Sequence, residues 1–332
     1  MPQVFEPQLP DGWAPPQLIH DSIAAAGLLL HRVGVATQAP TGEEVTGAAV
    51  ETGAAPIARG FYELLERVST MEAIAASASF TTRLENGDAT GATSPREIFL
   101  ESADPSRWRY ARSNGVAIHD SWARACERAL LELIERDRVL RAWYGETSPI
   151  AIEMPSGTAL DGLNHYDLHA VSFPRPPHVE LGRGIEVVGV FGFPEQTEAP
   201  LLLGFGARRT RAEALGAAAT ECLQALGFLW GEAFPVERPA LGPTPSAHAE
   251  ALLYPPHHGA LRRWLEEGHG RFRRPGSERP TEGATTFTDL TPCWLRGMFV
   301  AKATSPQALP LAFGDSPFVQ HLPTELRAHP IA

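Results

Sequence analysis

The stretch 121–145, SWARACERALLELIERDRVLRAWYG, constrains the fold more than any other part of the chain. It runs without Gly or Pro to its last residue, which predicts a helix of about five or six turns. Asp120 or Ser121 stands where an N-cap is wanted, and Gly145 where a helix stops. Inside it, Glu132 and Glu135 are surrounded by Ala129, Leu130, Leu131, Leu133 and Ile134. A helix so apolar is expected to be buried, and like charges in a core repel unless a cation offsets them.

The motif occurs twice. A helix is expected from Pro56 or Ile57 through IARGFYELLERVSTMEAIAAS, and its Glu63-Leu-Leu-Glu66-Arg67 parallels Glu132-Leu-Ile-Glu135-Arg136. Residues at i and i+3 share a helical face, so each pair can point at one ion. Two such helices packed together would present four carboxylates, a donor set suited to Mg²⁺ shared with water and phosphate oxygens. The alternative is that each pair is an ordinary charged face steadied by Arg67, Arg128 or Arg136. A third Ala-rich helix, Thr210 to Trp230, offers Glu221 and Gln224 at the same spacing.

The remaining pattern mixes the two element types. Residues 22–36 read as a helix passing into a strand, 41–56 as a Thr/Gly-rich loop, and 97–113 as short extended pieces ahead of an Asn114-Gly115 turn. Segment 146–183 reads as a connection, 185–193 and 200–207 as strands, and 235–258 as a Pro-rich interruption. A short helix at 259–268, a basic loop at 270–284, a strand at 293–303 and a Pro-containing tail complete the reading. No GxGxxG or GxxxxGKS loop is present, and the implied class is α+β (mixed α/β), with helices on mixed or antiparallel sheets.

With 332 residues, 43% of them hydrophobic, the chain suits one large domain or two intimately packed ones. It is taken as a single domain over 1–332, with 1–55 an N-terminal extension or edge element and 304–332 the tail. A net charge of −11 opposes binding to a phosphate backbone, so no nucleic acid partner is expected. The three cysteines form no CxxC pair, the start lacks a signal-peptide pattern, and the longest apolar runs are far shorter than the roughly 20 residues of a membrane span. A cytoplasmic protein without a membrane partner is expected. His165, His169, His257 and His258 have no partner spacing for a metal and read as loop or surface histidines. Cys126 reads as a packed thiol rather than a nucleophile.

Three segments, in order, resemble the YcaO family. SNGVAIHDSWARACERALLELIERD, 113–137, is similar to its central signature, in which a small-residue turn leads into an ExxER helix. ARGFYELLERV, 58–68, resembles the family's earlier SxxxExxE helix, and GFGARRTRAEALGAAATECLQAL, 204–226, its later Gly-Ala turn and Glu/Gln helix. The resemblance spans roughly residue 55 to the end and implies a YcaO-like fold with ATP and Mg²⁺ as cofactors.

By position, Glu63, Glu66, Glu132 and Glu135 would hold the metal. Arg59, Asn114, Asp120, Glu221 and Gln224 would lie near the nucleotide. The chain departs from the pattern at Arg59, where the family has Ser, and at Phe228, where it has Arg. Its end, with His329 and Pro330, partly resembles the Pro-rich tail of azoline-forming members and assigns those two residues to catalysis.

The resemblance implies cyclodehydration of Cys, Ser or Thr in a ribosomal precursor peptide. It also implies an E1-like or leader-binding partner protein and a flavin-dependent dehydrogenase. Thioamide or amidine formation, or a degenerate scaffold suggested by Arg59 and Phe228, are the alternatives. The oligomeric state, a homodimer among the options, is left open.

Overall fold

A computed structural model describes residues 8–196, 198–268 and 283–331. The chain opens with β1 (Gln17–Ala25), β2 (Leu28–Gln38), β3 (Glu44–Glu51) and α1 (Ile57–Ala75). Next come β4 (Phe80–Arg83), β5 (Ala89–Thr93), the single-turn α2 (Pro95–Ile98), β6 (Trp108–Tyr110), β7 (Val116–His119) and α3 (Trp122–Trp143). The second half holds β8 (Ile150–Ile152), β9 (Tyr166–Ser172), β10 (Glu186–Pro194), β11 (Leu202–Arg208), α4 (Arg211–Leu229), α5 (Pro245–Leu253) and α6 (His258–Glu267). It ends with β12 (Thr286–Asp289), β13 (Phe299–Thr304) and β14 (Ala312–Gly314). The class is α+β, as the sequence implied.

These elements cluster into two compact units, each built from separated stretches of chain. The first contains residues up to Phe99, Arg112–Leu130 and Thr286–Thr304. Its antiparallel β1-β2-β3 meander carries α1 against β3 and β2, and Val33, Val35, Val45, Phe61, Leu64 and Val68 form the core between them. Its other sheet has the order β5-β4-β12-β13-β7, antiparallel throughout.

The second unit contains Leu100–Ala111, Leu131–Thr285 and Ser305 onward. A four-stranded sheet, β11-β10-β9-β8, packs on α4, and β14 pairs with β6. Thr210 caps α4 by accepting the Glu213 N–H, and the helix buries Ala214, Ala218, Ala219, Cys222, Leu223 and Leu226. Trp264 of α6 meets Trp143 edge to face at 4.7 Å between centroids. Asp137 is buried, accepts the Leu309 N–H at 2.8 Å and pairs with Arg141, whose guanidinium also reaches Glu146 and the Gln307 carbonyl.

Several elements differ from the sequence reading. Residues 22–36 hold no helix, because Ala26 and Gly27 both take positive φ (47° and 87°) and close β1 onto β2 as a two-residue hairpin. The 41–56 loop contains β3, whose small residues allow α1 to lie close. The 146–183 connection contains β8 and β9, and 97–113 begins inside the helical turn α2, which carries the capping box Ser94–Glu97. The Pro-rich interruption contains α5, capped by Thr244. In the 293–303 segment the strand starts only at Phe299, after turns around Leu295 and Gly297 (φ 73°). Most of the basic loop expected at 270–284 lies outside the described residues.

Candidate functional site

In the first unit α1 presents the carboxylates of Glu63 and Glu66 to backbone amides on edge strands. Glu63 accepts the Ala48 N–H of β3 at 2.9 Å and pairs with Arg67 at 2.5 Å. Glu66 accepts the Ile118 N–H of β7 at 3.1 Å. Edge strands expose unpaired amides, and a carboxylate is a strong acceptor for them.

The other residues expected near a nucleotide are more exposed. Arg59 is paired with Glu51 at 2.9 Å, and Asp120, 68% exposed at its side chain, bonds His119 Nδ1. The Asn114-Gly115 turn forms as expected, and the Asn114 carbonyl accepts from Lys302 Nζ at 2.7 Å. Lys302, buried, donates also to the Arg112 carbonyl and lies over the Phe99 ring. Nothing in its CWLRGMFVAKA context singled it out.

In the second unit Glu135, Glu221 and Gln224 do come together. They line a cavity of ≈ 220 Å³ with Arg136, the apolar Leu203, Phe205 and Leu252, and Pro330 and Ile331 of the tail. Apolar walls with a few convergent polar groups are the usual form of a small-molecule site. Burial and the neighbouring Glu221 push the Glu135 carboxyl up to about 8, against the pull of Arg136. Glu221 is raised too, mainly by burial, although its oxygen accepts the Phe205 N–H. As residues, Glu221 is exposed and Glu135 is half-buried. Glu132 forms an i,i+4 ion pair with Arg136 at 2.5 Å, as Glu63 does with Arg67.

The tail is packed rather than frayed. His329 is fully buried, its Nε2–H donating to the Ala312 carbonyl at 2.9 Å and its ring 4.4 Å from that of His248. His248 accepts the Gly314 N–H at 2.9 Å, and its burial was not legible because its segment read as an interruption. Of the two residues assigned to catalysis, Pro330 lines the cavity while His329 is enclosed behind it.

Among the described residues no three His, Cys, Asp or Glu side chains are gathered closely enough to hold a metal ion unaided. His169 instead pairs with Asp167, and His257 and His258 bond the Ala251 and Leu252 carbonyls. Cys126 is buried. Crowded carboxylates of raised affinity for protons are the donor type a hard divalent cation takes, and Mg²⁺ ordinarily completes its shell with water and phosphate oxygens, so the donor set fits that ion. No described helix is long and apolar enough to cross a membrane.

Known structures share the fold. The structure of YcaO from Methanopyrus kandleri bound with AMPPCP and Mg²⁺ is 19% identical, with a TM-score of 0.58 over 88% of this chain and 85% of that one. A heterocyclase in complex with substrate and cofactor is 17% identical with a TM-score of 0.58, over 95% of this chain and 54% of that longer one. The E. coli microcin synthetase McbBCD complex gives 11% and 0.55, over 90% and 89%. At such identities these matches show a shared fold. No curated protein sequence matches the chain. A family model described as YcaO cyclodehydratase, ATP- and Mg²⁺-binding, matches residues 93–293. The chain therefore belongs to the YcaO family, with ATP and Mg²⁺ as its cofactors.

Proposed function

We propose that this protein activates peptide amide bonds, closing Cys, Ser or Thr residues of a ribosomal precursor peptide into thiazoline or oxazoline rings. The observation that carries the reading is the cavity where Glu135, Glu221 and Gln224 meet Pro330 of the tail, in a chain of this family. In the reaction the substrate side chain attacks the preceding carbonyl, the resulting oxygen is phosphorylated, and loss of phosphate leaves the ring. ATP supplies the phosphoryl group and Mg²⁺ offsets its charge.

The protein's residues supply position and field. Glu63, Glu66, Glu132 and Glu135 are the proposed metal-holding groups, and the raised proton affinity of the crowded Glu135 is what a divalent cation held there would offset. Gln224 and Arg136 offer N–H donors to phosphate oxygens. Leu203, Phe205 and Leu252 exclude water, which strengthens each of these interactions. Pro330 and Ile331 form the wall past which the peptide would lie. Arg59, Asn114 and Asp120 are retained as nucleotide neighbours on the family pattern, and His329 as the residue that seats the tail.

The substrate and partner readings draw on the solved relatives, of which one holds a substrate and another is a multiprotein synthetase. A separate leader-binding partner is proposed, with a flavin-dependent dehydrogenase for azole formation. The test is ATP consumption stimulated by a Cys-rich precursor peptide. Glu132→Gln with Glu135→Gln is expected to abolish it while the circular dichroism spectrum is kept. Unchanged turnover in that variant refutes the reading, and turnover only with added sulfide assigns the chain to thioamide formation.

A further inference from the structure

Two distant segments fold into one motif. β1, β2, β3 and α1 in the first unit are matched by β9, β10, β11 and α4 in the second, each an antiparallel three-strand arrangement with the helix packed on its last two strands. The match reaches single residues. The middle strand reads Val33-Gly34-Val35 in one and Val188-Gly189-Val190 in the other. Gly34 lies in register with Ile19 and Ala48, as Gly189 does with Val171 and Phe205.

The contact between edge strand and helix is also the same. A Cβ on Gly47 would meet the Gly60 carbonyl at 2.2 Å and the Leu64 nitrogen at 2.4 Å; on Gly204 it would meet the Ala218 carbonyl at 2.1 Å and the Cys222 nitrogen at 2.7 Å. Both sets lie at the carbonyl three residues before a glutamate and the nitrogen one residue after it. In each case the residue after the glycine donates its outward N–H to that glutamate, Ala48 to Glu63 and Phe205 to Glu221. Close packing explains the glycines. It does not require an acid at the same helical position in both copies, since any polar side chain could face outward there.

We infer that the amides of Ala48 and Phe205 are paired positioning groups: each fixes one oxygen of its glutamate so that the other meets the cation or the nucleotide it carries. This rests on the reading above. For Glu63 the second oxygen pairs with the half-exposed Arg67, and such surface pairs are weak enough for a divalent cation to displace. The motif also equates Glu66 with Gln224, three residues on in each helix, so the second copy is the less charged version of the first.

The test follows the two amide resonances by ¹H–¹⁵N NMR in the full chain. Glu63→Ala is expected to speed hydrogen exchange at Ala48 alone by at least about tenfold, and Glu221→Ala at Phe205 alone; Gln at either position, which keeps an acceptor, restores protection. Mg²⁺ with a non-hydrolysable ATP analogue is expected to shift both resonances in the unsubstituted chain, a response that a purely structural bond would not give. Unchanged exchange in the Ala variants, or shifts elsewhere in the protein with both amides unmoved, overturns the inference. No shift at any residue refutes the nucleotide reading instead, while the exchange result still decides whether the amides hold the carboxylates. Ala48→Pro and Phe205→Pro remove the donors at outward edge positions where proline is tolerated, and in the folded variants the Mg²⁺ concentration for half-maximal response is expected to rise about tenfold.

Discussion

Acid should weaken the second unit through His248 and His329. Both rings are neutral in the fold: burial, with the neighbouring imidazole, lowers His248 to about 2, and burial lowers His329 to about 4, with Arg136 also opposing its protonation. An unfolded histidine titrates near 6.5. Above that pH both states are neutral and nothing is lost. Below it the unfolded chain binds protons that the folded chain refuses, so stability falls by about 1.4 kcal/mol per pH unit for each ring. From neutrality to pH 4.5 each contributes a loss of about 2.5 kcal/mol, about 5 kcal/mol together, comparable to the whole stability of a modest domain. The assay is urea denaturation at a series of pH values between 7.5 and 4.5, comparing the parent with His248→Gln/His329→Gln. Gln keeps an acceptor for the Gly314 N–H and a donor for the Ala312 carbonyl without titrating. The variant is expected to start lower and decline less steeply, because carboxylate titration is common to both. Parallel curves would refute the argument.

Two other outcomes follow from buried groups. Asp137→Ala removes one of the two carboxylates that hold the buried Arg141, leaving Glu146, and frees the Leu309 N–H, and is expected to cost about 2–4 kcal/mol in chemical denaturation. Of the three cysteines, Cys293 is exposed, while burial pushes the Cys126 thiol up to about 12 and that of Cys222 well above its usual value. A colorimetric disulfide reagent at pH 8 is expected to titrate one thiol in the native protein and three in denaturant.

What the sequence revealed was carried by local periodicity. α3 announces itself through an uninterrupted run of helix formers, α4 through its Ala-rich composition and the Thr210 cap despite Gly216 and Gly227, and the paired glutamates through their spacing. β1 was hidden because Ser22 to Ala26 has good helix propensity, and only the positive φ at Ala26 and Gly27, a matter of pairing with β2, makes it a strand. β3 was hidden because its Thr and Gly residues suit a loop until α1 lies on them. At the site, Glu221 and Gln224 were visible as residues but not as neighbours of Pro330, which is separated from them by more than a hundred positions. The amide of Phe205 has no side-chain signature at all. His329 was singled out by its place near the terminus, and its burial against His248 required the tertiary fold.

The order β5-β4-β12-β13-β7 has a bearing on how the chain is made. β12 and β13, from residues 286–304, sit between β4 and β7, both of which lie before residue 120. As synthesis proceeds, those early strands emerge with open hydrogen-bonding edges and must wait for some 170 further residues before their neighbours leave the ribosome. Such waiting edges invite pairing with other nascent chains. Slow translation after residue 120, or a shortage of chaperones, should thus hurt the yield of this protein more than that of a chain whose sheets are sewn from consecutive strands.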